Sequence, residues 1–264
     1  MTPDAAFSLQ QFIGAWKLIC SNEQQYGHEA LPGLEMVFAG LASPFFNVGF
    51  ATGEILSAEE LEDRARRALA WALPRRAPWF FAITRDLLAD GIDAVGVLER
   101  CGLVPAMELT GMHASDVAPL ARAAEGLQLR TPQDDPSCQQ ILEINGAAYG
   151  IDLTSLGSRL GCRETWPHHF PVVGSVDGEP VCSAAVLMVE GLRYVALVAT
   201  APRRQRKGYA EAAVRHALAL AAQQHGVVPT FLHATDAGKP VYQRMGYRET
   251  ATHLLYMDAR FAHG

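Results

Sequence analysis

From Leu127 onwards, apolar positions fall into short runs broken by turn residues, with two longer stretches in which they recur three and four residues apart. LQLRTP reads as a short strand. DDPSCQQILEINGAAYG reads as a helix opened by aspartate. The stretch PVVGSVDGEPVCSAAVLMVEGLRYVALVAT splits into three strands at Asp177-Gly178 and Glu190-Gly191, since such dipeptides between apolar runs signal tight hairpins. A helix of about 16 residues comes next, with Ala210, Val214, Ala217, Leu218 and Ala221 on one face. VVPTFLHAT is a further strand, GKPVYQRMG a short helix ended by Gly246, and YRETATHLLYMDA a last strand. The order β-α-β-β-β-α-β-α-β predicts an α/β chain of layered α+β type.

The first half ends the same way. LEMVFA and PFFNVGFA read as strands, and SAEELEDRARRALAWAL as a helix with Ser57 and Glu60 forming a capping box. APWFFAIT, DAVGVLERCG and LVPAMELTGMHA then give strand, short helix and strand. VLERCGL (Val97–Leu103) resembles VYQRMGY 144 residues later, and RALAWA (Arg67–Ala72) resembles HALALA 149 residues later. The reading is an internal duplication, with domains 1–126 and 127–264 joined near ARAAEGLQLRTP.

Bulk properties narrow the classes. The chain has 264 residues, is 49% hydrophobic and carries a formal charge of −6. That suffices for sizeable cores and argues against general nucleic-acid affinity. Five scattered cysteines show no zinc-ligand spacing, so no metal is expected and reduced thiols in a cytoplasmic protein are. MTPDAAFSLQ has no apolar signal core, and no run reaches membrane-spanning length. Charge is uneven, however. Residues 1–126 hold 16 acids against 9 Lys and Arg, whereas 127–264 hold 12 against 13.

The positive charge gathers in VATAPRRQRKGYAEAAVRHALALA, between a strand and a helix. A helix start exposes unpaired N–H groups and the positive end of the dipole. Gly208 lets an anion approach closely, and Arg206 and Lys207 add full charges. Together they make a seat for a phosphate or pyrophosphate. The spacing Gln205-x-x-Gly208-x-Ala210, after a strand and opening a helix, resembles the signature of the GNAT superfamily of acyl-CoA-dependent N-acyltransferases. LHATDAGKPVYQRMGYRE resembles that family's later strand, helix and tyrosine region. The resemblance covers residues 127–264 well, and the first half only by element order. It implies tandem GNAT-like domains, each a mixed, mostly antiparallel sheet flanked by helices. It also implies acetyl-CoA as cosubstrate and an amine as acceptor. Backbone N–H groups of Gln205, Arg206, Lys207, Gly208, Tyr209 and Ala210 would hold the pyrophosphate. Val198, Ala199 and Thr200 would pair with the pantetheine arm. Tyr242 matches the family's tyrosine that protonates the departing thiolate.

Making an amide from a thioester needs a neutral amine and a stabilised oxyanion. The N–H of Val198 or Ala199 is the natural oxyanion donor. Some superfamily members place a glutamate base on the strand before the loop; that position is Tyr194 here. Glu190, Glu164, His168, His169 and His233 are substitutes, and a water chain without a dedicated base is another. Matching the first-half helix to this one sets Leu56–Leu61 opposite Gln205–Ala210, with Glu59 and Glu60 in place of glycine and cations, and Leu98 opposite Tyr242. The first domain is therefore expected to be a degenerate copy without a cofactor seat. A catalytically weak CoA-binding or regulatory protein is the alternative to an enzyme.

Overall fold

A computed structural model describes residues 4–119 and 124–262. Residues 120–123, at the expected junction, lie outside the described residues. The first half runs α1 (Ala5–Cys20), β1 (Gly27–Leu31), β2 (Leu34–Phe38), β3 (Asn47–Ala51), α2 (Ala58–Ala72), β4 (Phe80–Thr84), α3 (Ala94–Arg100) and β5 (Leu103–Ala114). The second runs β6 (Gln128–Arg130), α4 (Asp135–Tyr149), β7 (Phe170–Val176), β8 (Glu179–Val189), β9 (Leu192–Thr200), α5 (Tyr209–His225), β10 (Thr230–Ala234), α6 (Lys239–Arg244) and β11 (Arg248–Asp258). The second-half order is the one expected. The two hairpin turns have positive φ at Asp177 and Gly178 and at Glu190 and Gly191, the geometry whose twist suits two-residue hairpins.

Of the five residues expected on one face of α5, Val214, Ala217, Leu218 and Ala221 are buried and Ala210 is half-buried. One expectation needs correction: the capping box is shifted. Ser57 accepts from the Glu60 N–H at 3.2 Å, but the Glu60 carboxylate reaches the Leu56 N–H, at 2.8 Å, not that of Ser57.

Contacts divide the chain into two compact units that interleave in sequence. The described residues of the first lie within Met1–Met112, His233–Lys239 and Glu249–Gly264; those of the second lie within His113–Leu232 and Pro240–Arg248. The units thus do not coincide with the halves 1–126 and 127–264. The physical reason is strand pairing: β11 pairs antiparallel with β4, from His253 opposite Thr84 to Met257 opposite Phe80.

The first unit orders its strands β1-β2-β3-β4-β11-β5, with β1–β2 and β2–β3 antiparallel and β3–β4 parallel. Its core joins Leu34, Met36 and Phe38 to Leu61, Ala65 and Ala68 of α2, Leu98 of α3, and Trp79, Phe81 and Tyr256. The second unit orders its strands β9-β8-β7-β6, with the first residues of β10, 230–232, beside β9. The pairs β6–β7, β7–β8 and β8–β9 are antiparallel and β9–β10 is parallel. Helices α4 and α5 pack on β8 and β9. No helix among the described residues is long and apolar enough to cross a membrane.

A buried polar cluster sits in the first unit. The Ser8 hydroxyl lies 3.1 Å from His253 Nε2 and 3.3 Å from His233 Nε2, and Thr84 Oγ1 lies 3.0 Å from His253 Nδ1. Burial lowers the His253 pKa from 6.5 to about 4, opposed by Asp86, and that of His233 well below its usual value, with His253 adding to the effect. The unfolded chain takes up protons that the folded rings refuse, so this stability is complete above pH 6.5 and is lost as pH falls towards 4. For His253 alone the loss is roughly 3 kcal/mol. Urea unfolding at pH 7.5 and pH 4.5 measures it. His253→Gln is expected to lose the His253 share of the pH dependence while the His233 share remains, and an undiminished dependence would assign it elsewhere.

Candidate functional site

Strand β9 carries the first element of the site. Ala185 stands opposite Ala196 and Ser183 opposite Ala199, so Leu197 and Val198 together face the single residue Ala184. This is a β-bulge. Leu197 has φ +51°, a left-handed conformation that costs a branched residue about 1–2 kcal/mol. Its carbonyl is turned into a buried network. Ser183 Oγ donates to Leu197 O at 3.0 Å, and Asn145 Nδ2 of α4 lies 3.3 Å from the same oxygen. Asn145 also donates to Ile141 O at 2.8 Å and Ser183 Oγ at 3.0 Å. One residue on, the Tyr149 hydroxyl donates to Val198 O at 3.3 Å. Leu197 was not legible as a functional position, since nothing in a leucine announces positive φ.

The second element is the start of α5. Arg206 has φ +61° and Gly208 φ +79°, so the chain turns sharply before Tyr209. Gly208 is the N-cap residue, and no side chain caps the helix. The first N–H groups of α5 are thus left to an external acceptor. Gln205, Arg206, Lys207 and Gly208 are exposed and Tyr209 is buried. Arg204 is committed to Glu179, whereas Arg203, Arg206 and Lys207 have no ion pair among the described residues. The arrangement could seat an anion, since it brings dipole, open N–H groups and uncommitted cations to one point.

The equivalent point of α2 is closed. Ser57 caps the helix, and Glu60 accepts from Leu56 N–H and pairs with Arg64. Backbone hydrogen bonds hold the Glu59 and Glu60 carboxyls below their ordinary pKa, with Ser57 and Arg64 respectively adding to the effect. Both therefore remain ionised at neutral pH, where they repel a phosphate. Leu98, opposite Tyr242 in the sequence match, is a core residue.

Tyr242 is 8% exposed on α6, its ring edge-on to Tyr247 at 5.8 Å. Burial pushes its phenol far up, with Tyr149 and Tyr247 adding to the effect, and it stays protonated throughout the neutral range. Tyr194 is buried, and its phenol is likewise raised by burial and by Tyr242, so it stays protonated in the neutral range.

Two of the other candidates stand away from the bulge along their strands. Glu190 occupies the β8–β9 hairpin tip, eight residues from Val198 along the chain and on the order of 20 Å away along β9. His168 is exposed in the turn before β7, and the register sets Val172, not His168, level with Ala184 and the bulge. Glu164 is ion-paired with Arg159. His169 borders a separate groove of about 290 Å³ with Thr131, Phe170, Leu220, Gln223 and Gln224. His233 belongs by its contacts to the first unit. Residue type had suggested these side chains; strand direction and register separate Glu190 and His168 from the bulge.

With its bulged strand, open helix start and buried tyrosine, the chain has the fold of GNAT-type acetyltransferases. Residues 138–247 match the acetyltransferase (GNAT) family, less than half of the chain. Among solved structures, a GCN5-related N-acetyltransferase from Kribbella flavida is similar over 94% of this chain and 95% of its own, with 17% identity and a TM-score of 0.69. One from Sphaerobacter thermophilus covers 85% and 76%, at 13% identity and TM-score 0.61. A GCN5-related N-acetyltransferase-like protein from Streptococcus suis covers 94% and 97%, at 14% and 0.56. No curated protein matches the sequence. At these identities the likeness is one of fold.

Proposed function

We propose that this protein is an N-acetyltransferase that moves an acetyl group from acetyl-CoA to an amine in a ternary complex. The observation that carries the reading is the uncapped start of α5 beside Arg206 and Lys207, downstream of the Leu197 bulge. The N–H groups from Gln205 to Ala210 would hold the pyrophosphate, with Val198, Ala199 and Thr200 alongside the pantetheine arm, like an added strand. The N–H of Val198 or Ala199 would polarise the thioester carbonyl. The amine attacks that carbonyl, the C–S bond breaks, and Tyr242 gives its proton to the departing thiolate. No covalent enzyme intermediate is required when both substrates meet in one cleft. Water takes the proton that the acceptor ammonium must lose before its neutral amine attacks, and returns one to the Tyr242 phenolate after the thiol leaves, because Glu190 and His168 stand away from the bulge.

The first domain is proposed to be a degenerate copy. Its helix start is filled by its own cap, and its counterpart of Tyr242 is Leu98. Calorimetry is expected to give one acetyl-CoA per chain, unchanged in a Glu59→Ala/Glu60→Ala variant, because that seat also lacks the glycine and cations. Two equivalent sites would contradict the assignment. Turnover is tested by presenting a panel of small amines, amino acids and peptide N-termini with acetyl-CoA and following free thiol. Binding without thiol release from any acceptor would favour a CoA-binding regulatory role.

A further inference from the structure

We infer that Asn145 and Ser183 are positioning residues of the reaction, acting through the backbone of Leu197; this rests on the acetyl-transfer reading above. Neither side chain is on the open face of the seat. Asn145 is 2% exposed and Ser183 fully buried. Both converge on one atom, the Leu197 carbonyl oxygen, from two different elements. That carbonyl belongs to the one left-handed residue inside β9.

The geometry explains why a leucine stays there. In a regular strand the Leu197 carbonyl would point into the ladder with β8. In the bulge it points into the interior, where an unpaired carbonyl is unfavourable. Ser183 Oγ supplies a hydrogen, Asn145 reinforces it, and Asn145 is itself fixed by Ile141 O one turn back in its helix. The network thus stabilises the bulged state against a regular one. The Leu197 carbonyl and the Val198 N–H belong to one planar trans peptide group, so a carbonyl held inward aims that N–H the opposite way. Val198 N–H is one of the two proposed oxyanion donors. Hydrogen bonds made in the core therefore orient a donor at the thioester. Pyrophosphate binding, at the start of α5, involves neither side chain.

The test uses the full chain. Ser183→Ala, Asn145→Ala and the double variant are compared for kcat, KM for acetyl-CoA, and acetyl-CoA affinity by calorimetry. Leu197→Gly is then added to each. Removing an oxyanion donor outright costs on the order of 10²–10³-fold in kcat; a misdirected donor is expected to cost about tenfold in Ser183→Ala and more in the double variant. Affinity is expected to stay within about threefold. Glycine adopts positive φ without strain, so in its presence Ser183→Ala should return to within about threefold of Leu197→Gly alone. A purely structural role for Ser183 would show as a lower melting temperature that glycine at 197 does not repair. A folded Ser183→Ala/Asn145→Ala protein with parental kcat overturns the inference, and so does a loss that persists in the glycine background. Backbone chemical shifts of Leu197 judge the holding independently of turnover: a left-handed Leu197 in the double variant also overturns it. A parent protein that neither binds nor turns over acetyl-CoA overturns the functional reading instead.

Discussion

Gly208→Asp is expected to abolish acetyl-CoA binding while leaving the protein folded. Gly208 precedes Tyr209 at φ +79°, and a Cβ built there meets nothing within 4 Å. Space is therefore not the obstacle. Aspartate tolerates left-handed backbone better than most residues, and at an N-cap its carboxylate accepts from the helix's own first N–H groups. Those are the groups assigned to the pyrophosphate. The substitution closes the seat as Ser57 and Glu60 close the start of α2, and it adds a negative charge. Losing about two charge-assisted hydrogen bonds costs roughly 3–6 kcal/mol, or about 10²–10⁴-fold in Kd. Gly208→Ala separates charge from backbone. It keeps the open N–H groups and incurs only the left-handed penalty of about 1–2 kcal/mol, which falls on folding stability, so its melting temperature should drop while its Kd stays within about threefold. Calorimetry on both variants measures this, with melting temperature as the control. Unchanged affinity in a folded Gly208→Asp protein would remove the α5 start from the site.

Tyr242→Phe is expected to lower turnover about 10²-fold with acetyl-CoA affinity unchanged within threefold. The ring stays against Tyr247; only the hydroxyl goes. Because burial raises the phenol pKa, the donor is fully protonated across the neutral range. Its contribution should therefore be flat with pH, leaving the acceptor amine to shape the profile on the alkaline side. A thiol of pKa near ~8.5 leaves tolerably well unaided, which places the loss towards the lower end of what general acids contribute. Turnover, affinity and melting temperature on one preparation decide between roles. A drop in melting temperature with full turnover per folded molecule would make Tyr242 a packing residue.

The second half was legible because its signals are local. Asp177-Gly178 and Glu190-Gly191 set their hairpins without help from distant residues, and the α4 and α5 boundaries carry Asp134, Gly208 and Gly226. Helix α1 was missed because its buried face mixes Ser8 and Gln11 with Leu9, Phe12 and Ile13, which blurs the period. Strand β1 was missed because Gly27–Leu31 is largely exposed and polar, with no alternation to read. The anion seat could be read from Gln205 to Ala210, where charge and backbone requirement share six adjacent residues. The bulge could not. Leu197 takes its conformation from Asn145 and Ser183, which lie 52 and 14 residues away in sequence. Candidate bases chosen by residue type carried no information on strand direction, and Glu190 lies at the wrong end of β9 for that reason.

The pairing of β4 with β11 has a consequence for how the protein is made. Thr84 is synthesised long before its partner His253. At about 5–20 residues per second, the interval is roughly 10–35 s. During that time the side of β4 that later receives β11 presents unpaired N–H and C=O groups, and such an edge invites adventitious strand addition. The first unit therefore cannot complete its sheet as it emerges from the ribosome, and vectorial, domain-by-domain folding is closed to this chain. A gene cut at residue 126 would express a first half without the strand that covers β4, and a second half carrying that strand with nothing to pair it.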